Sequence, residues 1–165
     1  MSHRWKPHVT VAAVVEREGR FLLVEEQTSD GLRLNNPAGH LDCGESLVQA
    51  CSRETLEETA HVFCPTGLVG VYLSRVPRPA SGGLPAQVVT YLRFAFCGEL
   101  GAFSADRRLD HGIVRTLWMT PQEIRASVER HRSTALLQCV QDYLAGVRYP
   151  LEMLHTDLAD LADGR

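Results

Sequence analysis

The sequence lacks the features that would mark several common ways of building or anchoring a protein. Its five cysteines (Cys43, Cys51, Cys64, Cys97 and Cys139) are odd in number, scattered, and contain no C-x-x-C pair. A disulfide framework or a zinc site would look different; these read as buried or half-buried thiols in a reducing compartment. No stretch reaches the roughly 18 consecutive apolar residues that a membrane span requires. Nothing before Pro7 has the apolar run of a secretion signal, so the cytoplasm is the expected location. A basic excess is also missing. Seventeen lysines and arginines face twenty aspartates and glutamates, for a net charge of −3, which argues against a nucleic-acid polymer as the main partner. A small phosphorylated ligand needs only a few local cations and remains compatible with this balance. There is no internal repeat and no low-complexity segment. The seven histidines (His3, His8, His40, His61, His111, His131 and His155) show no metal-ligand spacing.

What is present suits a compact unit. With 165 residues and 44% hydrophobic content, the chain can bury a core without cross-links. Residues 1–153 read as one domain and 154–165 as a C-terminal tail. His8 to Val15 is β-branched and apolar and predicts a strand. The Glu18-Gly19 turn then leads to a second strand, Phe21 to Glu26, as a hairpin. A turn at Ser29-Asp30-Gly31 precedes a short strand from Leu32 to Asn35, which Pro37-Ala38-Gly39 breaks into a loop running to Gly44. Ser46 opens a helix with a capping box shared with Gln49, and the helix should end near Thr59 or Ala60. Strands are expected at Leu68 to Val76 and Val88 to Leu100, joined by the Pro/Gly-rich stretch Pro77 to Pro85, and again at Thr116 to Met119. Thr120-Pro121-Gln122-Glu123 starts a second helix. Ser133 is the expected cap of a last one, with an apolar stripe of Leu136, Val140, Tyr143 and Leu144 ending at Gly146. This order predicts an α+β or α/β sandwich around a mixed sheet.

The helix after Ser46 carries the chemistry. At 100° per residue, Glu54, Glu57 and Glu58 stand at i, i+3 and i+4, so their carboxylates share one face with Leu47, Ala50 and Cys51 one or two turns earlier. Like charges at this spacing repel, more strongly where the stripe packs toward a sheet. Acids so crowded are expected to hold a cation. An oxygen-only ligand set favours Mg²⁺ or Mn²⁺ over zinc, and such an ion keeps open positions for a substrate phosphate.

Gly39, Glu45, Arg53, Glu54, Glu57 and Glu58 all fall on fixed positions of the pattern G-x5-E-x7-R-E-U-x-E-E-x-G-U, where U is a bulky aliphatic. The segment resembles the Nudix box. With usage near ~6% for each residue type, six chance matches come to on the order of one in ten million per window. Three positions depart: Thr55 and His61 replace aliphatics, and Ala60 replaces the terminal glycine. Ala60 is expected to cost up to ~1 kcal/mol if that position is a left-handed helix cap. None of the three removes a carboxylate.

The resemblance implies a Nudix-type mixed β-sheet flanked by helices, an α/β/α sandwich, and a hydrolase acting on phosphoanhydride bonds. It implies that Glu54, Glu57 and Glu58 ligate Mg²⁺ (Mn²⁺ as a substitute), with the Gly39 carbonyl as a further ligand and Glu54 or Glu58 as general base. Glu45 and Arg53 would pair to hold the loop against the helix. Many members take another metal ligand from a loop well past the box; Asp106 and Asp110 are the candidates, Asp110 preferred. Lys6 to Ala12, Pro37 to Leu41 and Arg148 to Met153 further resemble the NudJ phosphatase branch of the family. That branch implies nucleoside tri- and diphosphates, or the pyrophosphates of thiamine and hydroxymethylpyrimidine, as substrates. Other nucleoside diphosphate derivatives (nucleotide sugars, dinucleoside polyphosphates), a non-catalytic ligand-binding module and a domain whose acidic helix is only solvated are the competing readings. Arg33, Arg75 and Arg93 are candidates to meet phosphates, and Trp5 or Tyr149 to stack on a ring. The Pro77 to Pro85 stretch is a candidate to reach the substrate. The expected partner is a small phosphorylated molecule, and the expected assembly a monomer or homodimer.

Overall fold

The structure is a computed structural model and describes residues 5–78, 80 and 85–157. In chain order its elements are β1 (His8–Val14), β2 (Glu16–Arg17), β3 (Arg20–Thr28), β4 (Gly31–Asn35), β5 (Ala38–His40), α1 (Leu47–Thr59), β6 (His61–Arg78), β7 (Gln87–Phe103), β8 (Ile113–Met119), α2 (Pro121–Ala126) and α3 (Ala135–Leu144). They form two sheets. One has the order β5-β1-β7-β6, with β1 parallel to β7 and the other pairs antiparallel. In the other, β3 pairs antiparallel with β2, β4 and β8. The architecture is the mixed sheet flanked by helices that the sequence implied.

Strand β1 reads as an unbroken apolar run because both of its faces are covered. Val11, Ala13 and Val15 pack with Ala50 and Cys51 of α1, together with Leu22, Phe63, Leu68 and Phe96. Ala12 and Val14 face the other way, toward Phe21, Leu23, Leu34, Ile124, Leu136 and Val140. The β2–β3 hairpin closes through Glu18 and Gly19, whose φ values of 52° and 76° are those of a two-residue turn that matches strand twist.

Local signals place the helices. Both capping-box bonds of α1 are present, Gln49 N–H to Ser46 Oγ at 3.1 Å and Ser46 N–H to Gln49 Oε1 at 2.8 Å. The same motif joins Thr120 and Glu123 at α2. Helix α1 ends at Ala60, which is left-handed with φ 59°, the strained conformation foreseen for an alanine in place of glycine. Its methyl is buried, at 1% exposure, and that packing offsets the strain. Thr55, standing where an aliphatic was expected, is satisfied within the helix: its hydroxyl donates to the Cys51 carbonyl at 2.7 Å.

Several element boundaries differ from the sequence reading. Pro37 breaks the chain only briefly. The chain crosses there from the second sheet to the first, and Ala38–His40 pairs with β1 instead of forming a loop. Strand β6 starts at His61, well before Leu68, because Pro65 and Gly67 sit at register shifts of the β6–β7 ladder and do not end it. Strand β8 starts at Ile113, not Thr116. The N-cap of α3 is Thr134, without a side-chain bond, and Ser133 does not cap it. Of the cysteines, Cys51, Cys97 and Cys139 are buried, but Cys43 and Cys64 are exposed. No helix among the described residues is long and apolar enough to cross a membrane.

Candidate active site

Gly39, in the middle of β5, faces α1 at very short range. A Cβ at this position would lie 1.9 Å from Cδ of Glu54 and 2.0 and 2.2 Å from its two carboxylate oxygens. The Glu54 carboxylate therefore occupies the space that any side chain at position 39 would fill. Glycine is required here by close approach, since the backbone conformation is one that any residue adopts.

Arg53 ties this region together. Its Nε donates to Glu45 Oε2 at 2.9 Å and its Nη2 to Glu45 Oε1 at 2.6 Å. Nη2 also donates to the His40 carbonyl at 2.9 Å. Nη1 donates to Glu54 Oε1 at 2.8 Å and to Glu57 Oε2 at 3.1 Å. One planar guanidinium thus fastens the loop after Gly39 to the helix and fixes two box carboxylates, a task that its fork of donors suits. Glu45 in turn accepts from the Asp42 N–H at 2.8 Å.

Glu58 is 8% exposed and accepts from the Ala38 N–H at 2.8 Å. Burial pushes its carboxyl up to about 8 against the pull of that N–H, and the charges of Glu26, Glu54 and Asp110 add to the shift. Burial also raises Glu54, opposed by Arg53 and reinforced by Glu57 and Asp110. Asp110 is held near the helix by its own N–H, which donates to the Glu57 carbonyl at 2.9 Å.

These groups open onto a cavity of about 450 Å³ between the two sheets, a size that suits a small organic ligand. Gly39, Glu54, Glu58 and Asp110 line it, together with Glu26, Asn35, Tyr91 and Arg93. Glu57 does not line it; its carboxylate pairs with Arg53 at 3.1 Å. Asp106 is exposed and also off the lining. Among the described residues, no three His, Cys, Asp or Glu side chains are gathered as a ready-made metal cage. Mg²⁺ seldom occupies an all-protein cage and keeps several waters, so two or three carboxylates beside an open cavity suit it. The donor set is oxygen-only, and buried acids that raise one another's affinity for protons are stabilised by a divalent cation.

Of the residues considered for substrate contact, Arg33 and Arg93 line the cavity and Arg75 does not. Trp5 and Tyr149 are 64% and 48% exposed and stand off the lining; the Tyr149 backbone instead pairs with Leu68. Val76 and Pro77 reach the cavity, while residues 79 and 81–84 of the Pro/Gly-rich stretch lie outside the described residues. Sequence reasoning missed Glu26, Asn35, Tyr91, Thr10, Arg132 and Ser133. For those on strands the signal was polar residues at alternate positions, Tyr91 and Arg93 on β7 or Glu26 and Thr28 on β3; Arg132 and Ser133 lie between elements and gave none.

A glycine strand, a glutamate helix and a cavity between two sheets define a Nudix-type hydrolase fold. The NUDIX domain family model matches residues 6–138. The chain belongs to this family, and it is an enzyme of the pyrophosphohydrolase class. It is 36% identical over 150 residues to the phosphatase NudJ of Escherichia coli strain K12, covering 91% of this chain and 92% of that protein. The structure of a NUDIX hydrolase from Nitrosomonas europaea superimposes with a TM-score of 0.83 at 50% identity, over 92% of this chain and 98% of that one. A MutT NUDIX hydrolase from Burkholderia pseudomallei shares the fold, with a TM-score of 0.61 at 18% identity over 84% of this chain and 98% of that one.

Proposed function

We propose that this chain is a Mg²⁺-dependent hydrolase of small organic phosphoanhydrides. Nucleoside tri- and diphosphates or thiamine-type pyrophosphates (hydroxymethylpyrimidine pyrophosphate, thiamine pyrophosphate) are its substrates. The observation that carries this reading is the pair of carboxylates on the cavity wall beside Gly39, half-buried Glu54 and buried Glu58, each crowded by Asp110 and Glu58 also by Glu26. We assign the ion to Glu54, Glu57, Glu58, the Gly39 carbonyl and Asp110, with Mn²⁺ able to substitute. When bound, it neutralises charge on phosphate oxygens and makes water a better nucleophile for in-line attack on phosphorus.

The remaining work falls to the chain itself. Glu54 or Glu58 takes the proton of the attacking water. The Glu45–Arg53 pair keeps Glu54 over Gly39 and anchors the loop that carries His40. The likeness to a phosphatase across about nine-tenths of both chains supports cleavage over mere binding. We place the protein in the cytoplasm as a monomer or homodimer, with a small phosphorylated molecule and not a nucleic-acid polymer as its partner.

The test is a phosphate-release screen over nucleoside di- and triphosphates, thiamine pyrophosphate, dinucleoside polyphosphates and nucleotide sugars. Release is expected only with Mg²⁺ or Mn²⁺. Equal turnover in excess chelator overturns the reading, and ligand-induced thermal stabilisation without turnover points to a binding module instead.

A further inference from the structure

Among the described residues, four that line the cavity carry buried side-chain atoms with no hydrogen-bond partner: Thr10 Oγ1, Glu26 Oε1, Arg93 Nη1 and Ser133 Oγ. Buried polar groups are seldom left idle, and several in one cavity point to a ligand that completes them. Arg93 is the most demanding of them. It is 9% exposed; its Nη2 donates to a neutral acceptor, Asn35 Oδ1, at 3.3 Å, and the Cys139 thiol lies beside it. Glu26 stands close enough for the two charges to act on each other. Glu26 Oε2 accepts from Arg132, which leaves Oε1 open.

The chemistry of this pair is selective. A phosphate offers only acceptors and negative charge; it suits Arg93 but is repelled by Glu26. A group that presents an acceptor to Arg93 and a donor to Glu26 satisfies both. Tyr91 adds a flat surface. It lies two residues from Arg93 on the same face of β7 and lines the same cavity. Its ring is in tilted contact with those of His8 at 5.6 Å and His40 at 6.2 Å. The sheet register sets the backbone of Arg93 apart from Gly39, while Glu26 and Tyr91 reach toward both, the Glu26 charge acting also on Glu58. His40, Thr10 and Arg93 are neighbours across β5, β1 and β7, so Arg93 stands two strands, roughly 10 Å, from the strand that carries Gly39.

We propose that Arg93 and Glu26 select the non-phosphate end of the substrate by reading a hydrogen-bond donor beside an acceptor on the edge of a flat nitrogen heterocycle that lies along Tyr91. The inference rests on the reading of Glu54 and Glu58 as the cleaving end. It sets such substrates above inorganic polyphosphates and above phosphorylated sugars that carry no ring of this kind.

The experiment measures kcat and KM with Mg²⁺ for the four common ribonucleoside diphosphates, thiamine diphosphate, 5-phosphoribosyl 1-diphosphate and inorganic tripolyphosphate. The parent is compared with Glu26→Gln, Arg93→Lys and Ser133→Ala. The best substrate is expected to carry a heterocycle. Its KM is expected to rise tenfold or more in Glu26→Gln and Arg93→Lys, the size of one lost charge-assisted hydrogen bond, and about threefold in Ser133→Ala. Circular dichroism checks each variant's fold. If Arg93→Lys does not fold, Glu26→Gln decides by comparison of substrates, because the Glu26 charge also reaches Glu58: a KM rise confined to the heterocyclic substrates supports the proposal, and an equal rise on all substrates overturns it. A best substrate without a heterocycle, or a KM that stays within threefold in the folded charge variants, overturns the proposal while leaving the cleaving end intact. A parent that cleaves nothing with Mg²⁺ or Mn²⁺ overturns the reading of the glutamates and this inference with it.

Discussion

Replacing Gly39 with alanine is expected to separate activity from stability. The backbone at this position accepts any residue, so the perturbation is purely one of space. The new Cβ would lie 1.9 Å from Glu54 Cδ, and the carboxylate must retreat by roughly 1.5 Å to reach ordinary van der Waals contact. Glu54 is the end of a flexible side chain, so the fold yields cheaply. What it loses is the 2.8 Å bond from Arg53, about 1 kcal/mol, and Arg53 keeps its bonds to Glu45, Glu57 and the His40 carbonyl. Catalysis is far less tolerant, since misplacing a reacting group by about 1 Å costs on the order of 10²-fold. Urea denaturation alongside phosphate release with Mg²⁺ measures both quantities. A variant that turns over within threefold of the parent would refute the view that the carboxylate over Gly39 takes part in the reaction. A stability loss beyond about 3 kcal/mol would refute the claim that only a mobile side chain has to move.

Glu58→Gln keeps an acceptor for the Ala38 N–H but removes a carboxyl whose ionisation burial, Glu26, Glu54 and Asp110 all oppose. Urea melts are expected to show unchanged or higher stability, while phosphate release falls by about two orders of magnitude or more. Arg53→Met strips the counter-charge from Glu45, Glu54 and Glu57. Because the guanidinium is partly exposed, the expected cost is about 2 kcal/mol in the same melts, with turnover lowered as well. Acid sensitivity should centre on Glu25, which is 2% exposed. The hydrogen bond from Arg115, against the opposing effect of burial and with the charges of Arg115 and Arg130, holds its carboxyl below the ordinary 4.5. A lowered folded-state value stabilises the protein above about pH 4.5 and is lost as pH falls through that folded-state value. Fluorescence-monitored acid unfolding is expected to begin at higher pH in an Arg115→Met, Arg130→Met double variant.

The parts of the fold that were legible in the sequence are those set by local chemistry. The box helix, its capping box at Ser46 and Gln49, the Thr120-Pro121 start of α2 and the two-residue hairpin at Glu18-Gly19 each depend on residues within one turn of one another. The strained end of α1 was legible only as a departure from the family pattern, alanine at 60 where that pattern has glycine. What escaped depends on partners far along the chain. Pro65 and Gly67 look like strand breakers until β7 supplies a ladder that absorbs them as register shifts. Ala38–His40 becomes a strand only because β1 offers it an edge. The cavity wall opposite the glutamates is built from the register of β1 with β7 and of β3 with β4, which periodicity within a single segment does not fix. Helical spacing put Glu54, Glu57 and Glu58 on one face, but the spacing alone could not show that Glu54 and Glu58 line the cavity while Glu57 pairs with Arg53 at its margin. Exposed aromatics such as Trp5 and Tyr149 looked available for stacking, whereas the ring that lines the cavity, Tyr91, sat unnoticed inside a strand.

Direct titration with Mn²⁺, following the free ion by its paramagnetic resonance signal, tests most simply whether the carboxylates beside Gly39 hold a divalent cation. The parent is expected to bind the ion, and Glu54→Gln and Glu58→Gln to weaken that binding tenfold or more while remaining folded. Equal Mn²⁺ affinity in the parent and in both folded variants would contradict the account.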